Sequence, residues 1–430
     1  MDMKKSYIVI IVLLVGLAAA GCDEIFGTKT DPITDDIFRQ GRQDPNLIVD
    51  EVGYAALLPF WDGFDRPTDI FVGYDELVYV TDANGLHVLD RAGRTGNFIP
   101  MRGAVAVTQD RLLNVYVAAR TDTTITAVSP TVNWDLAAVY KITNANGAGP
   151  TRTVQKLVHP FMDASRATTT TQRFRLDRGR PDNDELVEIT GIAVMANGDI
   201  YISRRGPRNL TGQAVAADNT VLVFTEERDN AGNRTGIMRN TTQIRTLNPN
   251  VPSLLSGIDI SNIVTFAGPP QRENMNTSQS FIIAQENPDK EIPFRVLWVD
   301  AVDTPDGIEY RSNGQLLARD TSRADGFLYQ EFKFRQPTGL AFSADARGHI
   351  FVVDAGTDSL YLFQSNGVEG VNPLAGSNIT KAINVSFGGT GNGPRQFNNP
   401  SGVAYFQQIV YVADKDNNRI SRFKLNTDFE

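Results

Sequence analysis

From Tyr54 to Leu425 the chain is written in short apolar runs, each closed by a cluster of Gly, Asn or Asp. Val78-Tyr79-Val80-Thr81-Asp82 and Phe351-Val352-Val353-Asp354 are representative: β-branched and aromatic residues in near-continuous series, then a turn former. Runs of this length and composition predict strands, and their lack of polar alternation predicts strands buried on both faces. The 36 glycines and 21 prolines leave little room for long helices. The expected class is therefore all-β, built from many short strands.

The runs repeat. From Phe397 the chain reads FNNPSGVAYFQQIVYVADKDNNRISRFKL, in which Phe397, Pro400, Gly402, Val403, Ala404, Tyr411, Val412, Ala413, Asp414, Asn418, Arg419 and Ile420 follow one another in a recognisable order. This resembles the NHL repeat, a unit of β-propellers. A second copy starts at Pro337, with Gly339, Ala341, Val353 and Asp354 in register, and a third at Arg66, with Asp69 in the glycine position and Asp82 closing the strand. Weaker copies open at Gly103, Gly191 and Gly257, the last with Phe281–Gln285 as its second strand. One such unit cannot bury both faces alone, so copies must pack in series. The resemblance implies a six-bladed β-propeller, with seven blades as the alternative because the anchors lie 34 to 88 residues apart. The long gaps are read as polar insertions, Thr121 to Asn133, Asp163 to Asp184, Arg204 to Asn219 and Gly268 to Ser278.

The ends of the repeat array predict how the ring closes. After Arg419 only one more strand fits, so the last blade lacks its outermost strand, and the apolar segment Tyr54 to Phe60 is expected to supply it. An edge paired in this way is hidden from other chains.

The amino terminus carries an address. Lys4 and Lys5 precede the apolar run Tyr7 to Ala20, which is short for a membrane span and ends at Gly21-Cys22. The segment LAAAGC resembles the lipobox of bacterial lipoproteins, which implies a leader at residues 1–21, acylation of Cys22, and a polar, acidic tether at 22–46 before the propeller of 47–430. Acyl chains would hold the protein on a membrane of the cell envelope by the hydrophobic effect, with the propeller facing the periplasm or the exterior. Asp23 resembles the inner-membrane retention signal of enteric bacteria, a rule that does not transfer to other phyla, so inner and outer membrane both stay open. The net charge of −9 excludes bulk attraction to nucleic acid, and leader removal makes the chain one unit more acidic.

Familiar chemistry is sparse. The single cysteine rules out an intrachain disulfide, and the three histidines, His87, His159 and His349, form no metal-binding spacing. No GxSxG elbow is present. Asp414 to Arg419 places oxygen ligands as a calcium loop would, but Arg419 stands where the sharp-turn glycine belongs, and the repeat explains the same residues. The glycine cluster from Gly388 lacks the strand-and-helix context of a phosphate loop. No cofactor is expected. Arg166, Arg173, Arg175, Arg178 and Arg180 form a basic insertion that reads either as an oxyanion site or as a solvated loop balanced by Asp182, Asp184 and Glu185.

The ends of the second strands carry Asp82, Ala119, Arg204, Gln285, Asp354 and Asp414, with Arg120, Arg205 and Glu286 beside them. Loops at one end of a propeller converge on its axis, so these positions could form a polar funnel. Asp82, Gln285, Asp354 and Asp414 are candidate ligand-binding residues, the aspartates reading equally as turn closers, and Arg120, Arg204 and Arg205 are preferred because they depart from the repeat. The favoured function is a tethered scaffold that binds a protein, peptide or glycan. The alternative is an envelope hydrolase or lyase, because the resemblance includes lactonase-like enzymes with a metal at the axis.

Overall fold

The computed structural model describes residues 52–125, 132–147, 154–158, 186–206, 221–244, 257, 259–271, 276–286, 292–345, 347–373 and 378–426. The segments read as leader (1–21) and tether (22–46), with Cys22, His159 and the arginine-rich insertion, lie outside these residues. The described chain forms six antiparallel four-stranded sheets, so the six-bladed count holds. The innermost strands are Asp69–Val72, Ala106–Gln109, Glu188–Val194, Ile260–Thr265, Pro337–Phe342 and Pro400–Phe406, defining blades I to VI. Each inner strand adjoins the next, and that of blade VI returns to that of blade I, closing a β-propeller.

The apolar core lies between blades rather than at the axis. Tyr79, Leu86, Val107 and Val117 join blades I and II, while Tyr116, Ile192, Ile202 and Leu222 join II and III. Phe351, Leu362, Val403 and Val412 join V and VI. This explains strands with no polar face: both sides of a blade are someone's interior.

One position per inner strand sets the spacing. A methyl group on Gly339 would stand 2.8 Å from Cα of Gly402, and one on Gly402 would stand 2.8 Å from Cα of Asp69. At Gly191 it would meet the Ile263 amide nitrogen at 2.9 Å. The glycine is therefore demanded by backbone against backbone. Two of the weak copies need correction here. Gly103 and Gly257 fall outside the inner strands, and the register instead puts Ala106 opposite Ala118 and Asn262 opposite Ala284, as Gly402 is opposite Ala413. Where the slot carries a larger polar side chain, that group bonds forward: Oδ2 of Asp69 accepts from the Val107 amide at 2.9 Å, and Nδ2 of Asn262 donates to the Thr338 carbonyl at 3.3 Å. A second correction concerns Thr121 to Asn133. Its described parts, Thr121 to Ile125 and Val132 to Asn133, are strand, because the second and third strands of blade II run to Ile125 and from Val132 and pair out to those residues.

Closure follows the expected scheme. Gly53–Ala56 pairs with Phe423–Asn426 as the outermost strand of blade VI. Trp61 and Ile420 exchange backbone bonds of 3.1 and 2.8 Å. Arg422, 2% exposed, lies over the Trp61 ring at 4.5 Å and donates to the Pro59 carbonyl at 2.9 Å. Burial pushes its pKa down to about 10, so the closing segment's carbonyls and ring carry the task of solvating that cation.

Deletion of residues up to Asp62 should open the ring, lowering the thermal midpoint sharply and exposing apolar surface to a hydrophobic dye. The point change Trp61→Ala should cost about 3 kcal/mol in urea unfolding.

Candidate functional site

Four inner strands start with the same irregularity. The register slips by one residue at Ile189/Gly191, Ile260/Asn262, Pro337/Gly339 and Pro400/Gly402, leaving Thr190, Ser261, Thr338 and Ser401 as extra residues. A bulge re-aims the side chain it releases. Each of these hydroxyls points to the following blade. Thr190 donates to the Ile260 carbonyl at 2.7 Å, Ser261 to Pro337 at 2.6 Å, Thr338 to Pro400 at 2.6 Å and Ser401 to Pro67 at 2.7 Å. Thr68, in the equivalent place of blade I, reaches the Ala104 carbonyl at 2.9 Å. Blade II alone breaks the series, with Val105 in the slot. There Arg120 substitutes, donating from Nη1 to the Val187 carbonyl of blade III at 3.0 Å while Nε holds Asp135 at 3.2 Å.

These six slots form the floor of a funnel of about 470 Å³ at one end of the axis. Its wall carries Arg120, Arg205, Lys415, Glu188 and Glu286. Arg205 sits between Glu188 and Glu286, its Nη1 3.2 Å from Glu286. Burial disfavours its charge, but the hydrogen bond and field of Glu188, with Glu286, outweigh that and hold the guanidinium above its usual range. Gln336 also donates to Glu286, so both wall carboxylates are engaged. Lys415 makes no ion pair with a described residue.

A smaller cavity of about 70 Å³ continues along the axis, sharing Asn262 with the funnel and reaching Asp69. Burial among the inner strands pushes the Asp69 carboxyl up to about 7, against the lowering effect of the Val107 and Ile70 amides.

Of the seven residues the sequence nominates, Arg120 and Arg205 line the funnel. Asp82, Gln285, Asp354 and Asp414 are at most 1% exposed and Arg204 is 4% exposed. The aspartates are occupied by turns: Asp82 accepts from the amides of Asp65, Asn84 and Gly85, and Asp354 from those of Arg335, Gln336 and Gly356. Asp414 takes the Asn398 amide and the side chains of Asn417 and Arg419, which accounts for the calcium-like spacing without a metal. Gln285 donates to the Phe294 carbonyl at 2.9 Å. His87 lies 2.7 Å from Asp82, and His349 is buried, its pKa pushed down to about 4 by desolvation.

Glu188, Lys415 and the hydroxyl slots escape the sequence reading. The slots had a signal, since the residue just before the glycine position of the repeat is Ser or Thr in every copy but blade II once the register is known. Among the described residues, no group of three or more His, Cys, Asp or Glu is placed to hold a metal ion.

The NHL repeat family matches residues 397–423, the inner three strands of blade VI with the turn before them. The chain carries an NHL repeat. The NHL-type propeller matches no curated protein in sequence. Among solved structures, it is similar to a protein of unknown function from Bacteroides thetaiotaomicron, at 16% identity and TM-score 0.45, over 87% of this chain and 72% of that one. A gluconolactonase from Xanthomonas campestris shows 9% identity and TM-score 0.44, over 85% and 88%. Virginiamycin B lyase from Staphylococcus aureus shows 12% identity and TM-score 0.40, over 87% and 100%. The propeller fold itself rests on the six sheets of this chain.

Asp69 yields a pH prediction. Its folded pKa, about 7, is above the unfolded value, so the stabilising proton is fully present below about pH 4 and lost as pH rises through 7. Wild type should therefore lose on the order of 1–2 kcal/mol relative to Asp69→Asn between pH 4 and pH 8, discounted for the water-accessible channel. Paired urea titrations at the two pH values check this. In the ring itself, Gly339→Ala should cost about 1–3 kcal/mol, because the opposing group is backbone.

Proposed function

We propose that this protein is a lipid-anchored, extracytoplasmic NHL propeller of the bacterial envelope that binds a polar ligand in its axial funnel. The observation that carries the reading is the funnel: about 470 Å³, floored by hydroxyls and walled by charges of both signs. That volume falls within the range of small-ligand sites. The apolar run ending at Cys22 supports the anchor. A binding role is favoured over a metal-dependent hydrolase or lyase because Glu188 and Glu286, the carboxylates of the wall, are both committed to Arg205. Neither is arranged as an unpaired base.

Two measurements test the two halves of the proposal. Wild type should incorporate radiolabelled palmitate and Cys22→Ala should not; an unlabelled wild type refutes the anchor. Peptides and oligosaccharides extracted from the envelope should include a fraction that raises the thermal midpoint of detergent-solubilised wild type by several degrees and leaves the double variant Arg205→Ala, Lys415→Ala unmoved. Equal stabilisation of both proteins would remove the ligand from the funnel.

A further inference from the structure

The protons of the funnel floor are already assigned. A hydroxyl has one proton and two acceptor lone pairs. Ser261, Thr338 and Ser401 place their shortest contacts, 2.6 to 2.7 Å, on carbonyls of the next blade, as does Thr190 at 2.7 Å. Thr68 has the Ala104 carbonyl at 2.9 Å. Asn262 donates one of its two amide hydrogens to Thr338 and carries Oδ1 as an acceptor. The floor thus offers oxygen lone pairs and keeps its hydroxyl donors turned into the blade seams. Asp69, across the ring from Asn262 in the smaller cavity, adds a carboxyl beneath.

The wall has the opposite bias. Glu188 stands two residues before Thr190, Glu286 follows Gln285 opposite Ile260, and both are bound by Arg205, while Lys415, next after Asp414, makes no ion pair with a described residue. Asp414, the last residue of its strand, pairs with Pro400, and Lys415 follows it at the start of a 3-10 turn, on the lining of the funnel. Acceptors below and a cation above specify a ligand that carries a donor cation at one end and an anion at the other. Among the described residues the lining contains no aromatic ring, the face on which sugar rings and bases commonly stack.

Resting on the funnel reading above, we propose that the ligand is a zwitterion, an amino acid or the end-to-end backbone of a short peptide, its primary ammonium held by the oxygens of the Ser/Thr ring and its carboxylate by Lys415. Hydrogen bonds to charged groups are the stronger kind, so both ends contribute to affinity and neither suffices.

The test is calorimetric titration of the full chain in detergent with dialanine, N-acetyl-dialanine and dialanine amide. Dialanine should bind at least tenfold more tightly than either capped form. Lys415→Ala should weaken dialanine about tenfold and leave the amide unchanged. Ser261→Ala with Thr338→Val should weaken both dialanine and the amide and spare the acetylated form; Ser261→Ala alone serves if the double variant is unfolded by circular dichroism. Equal binding of capped and free forms, or no binding of dialanine, overturns the zwitterion. If dialanine fails while an envelope fraction still stabilises wild type in a Lys415-dependent way, the funnel stands and only the ligand class falls. Stabilisation independent of Arg205 and Lys415 removes both.

Discussion

The architecture depends on how closely six inner strands can approach without side chains between them. Where Gly339, Gly402 and Gly191 stand, the neighbouring backbone is too near for a methyl group. That approach brings each bulged Ser or Thr within hydrogen-bonding distance of the next blade's first carbonyl. A single such bond contributes about 1 kcal/mol, which is modest beside the apolar interfaces between blades. Its value is geometric. Dispersion and burial make blades stick, but they set no unique rotation about the axis; a directed side-chain hydrogen bond at each seam, a hydroxyl at five and Arg120 at the sixth, does.

The same device creates the site. Bulges that satisfy carbonyls at the seams necessarily leave their oxygen atoms around the axis, so the floor of the funnel is a by-product of ring assembly. Among the described lining residues, those one step beyond the floor, Glu188, Arg205, Glu286 and Lys415, share no repeat pattern. A scaffold built this way can change ligands by changing its wall while its floor stays fixed by folding.

Much of this was legible in the sequence, and the exceptions have physical reasons. Blades I, V and VI could be placed because their Pro-x-Gly or Pro-x-Asp openings survive, and the closing strand was legible as an apolar segment in search of a partner. Blades II and IV were anchored three and five residues early, at Gly103 and Gly257, because their slots hold Ala106 and Asn262. A methyl group or a forward-bonding amide serves at those seams, so the expected glycine is missing and the nearest one misleads. The buried aspartates illustrate another limit: a carboxylate at a strand end looks the same in sequence whether it faces a ligand or is enclosed by turn amides. Arg120 was legible as a departure from the repeat, but its bond to the Val187 carbonyl, 67 residues on, was not.

That bond has a mechanical corollary. Five seams are riveted at the axis by a short hydroxyl side chain, and the sixth, between blades II and III, by a long arginine that the carboxylate and carbonyl of Asp135 hold in place. The exceptional rivet, at Val105 and Arg120, lies in a different pair of blades from the strand that fastens the ring, so pinning the axis and clasping the circle are separate tasks.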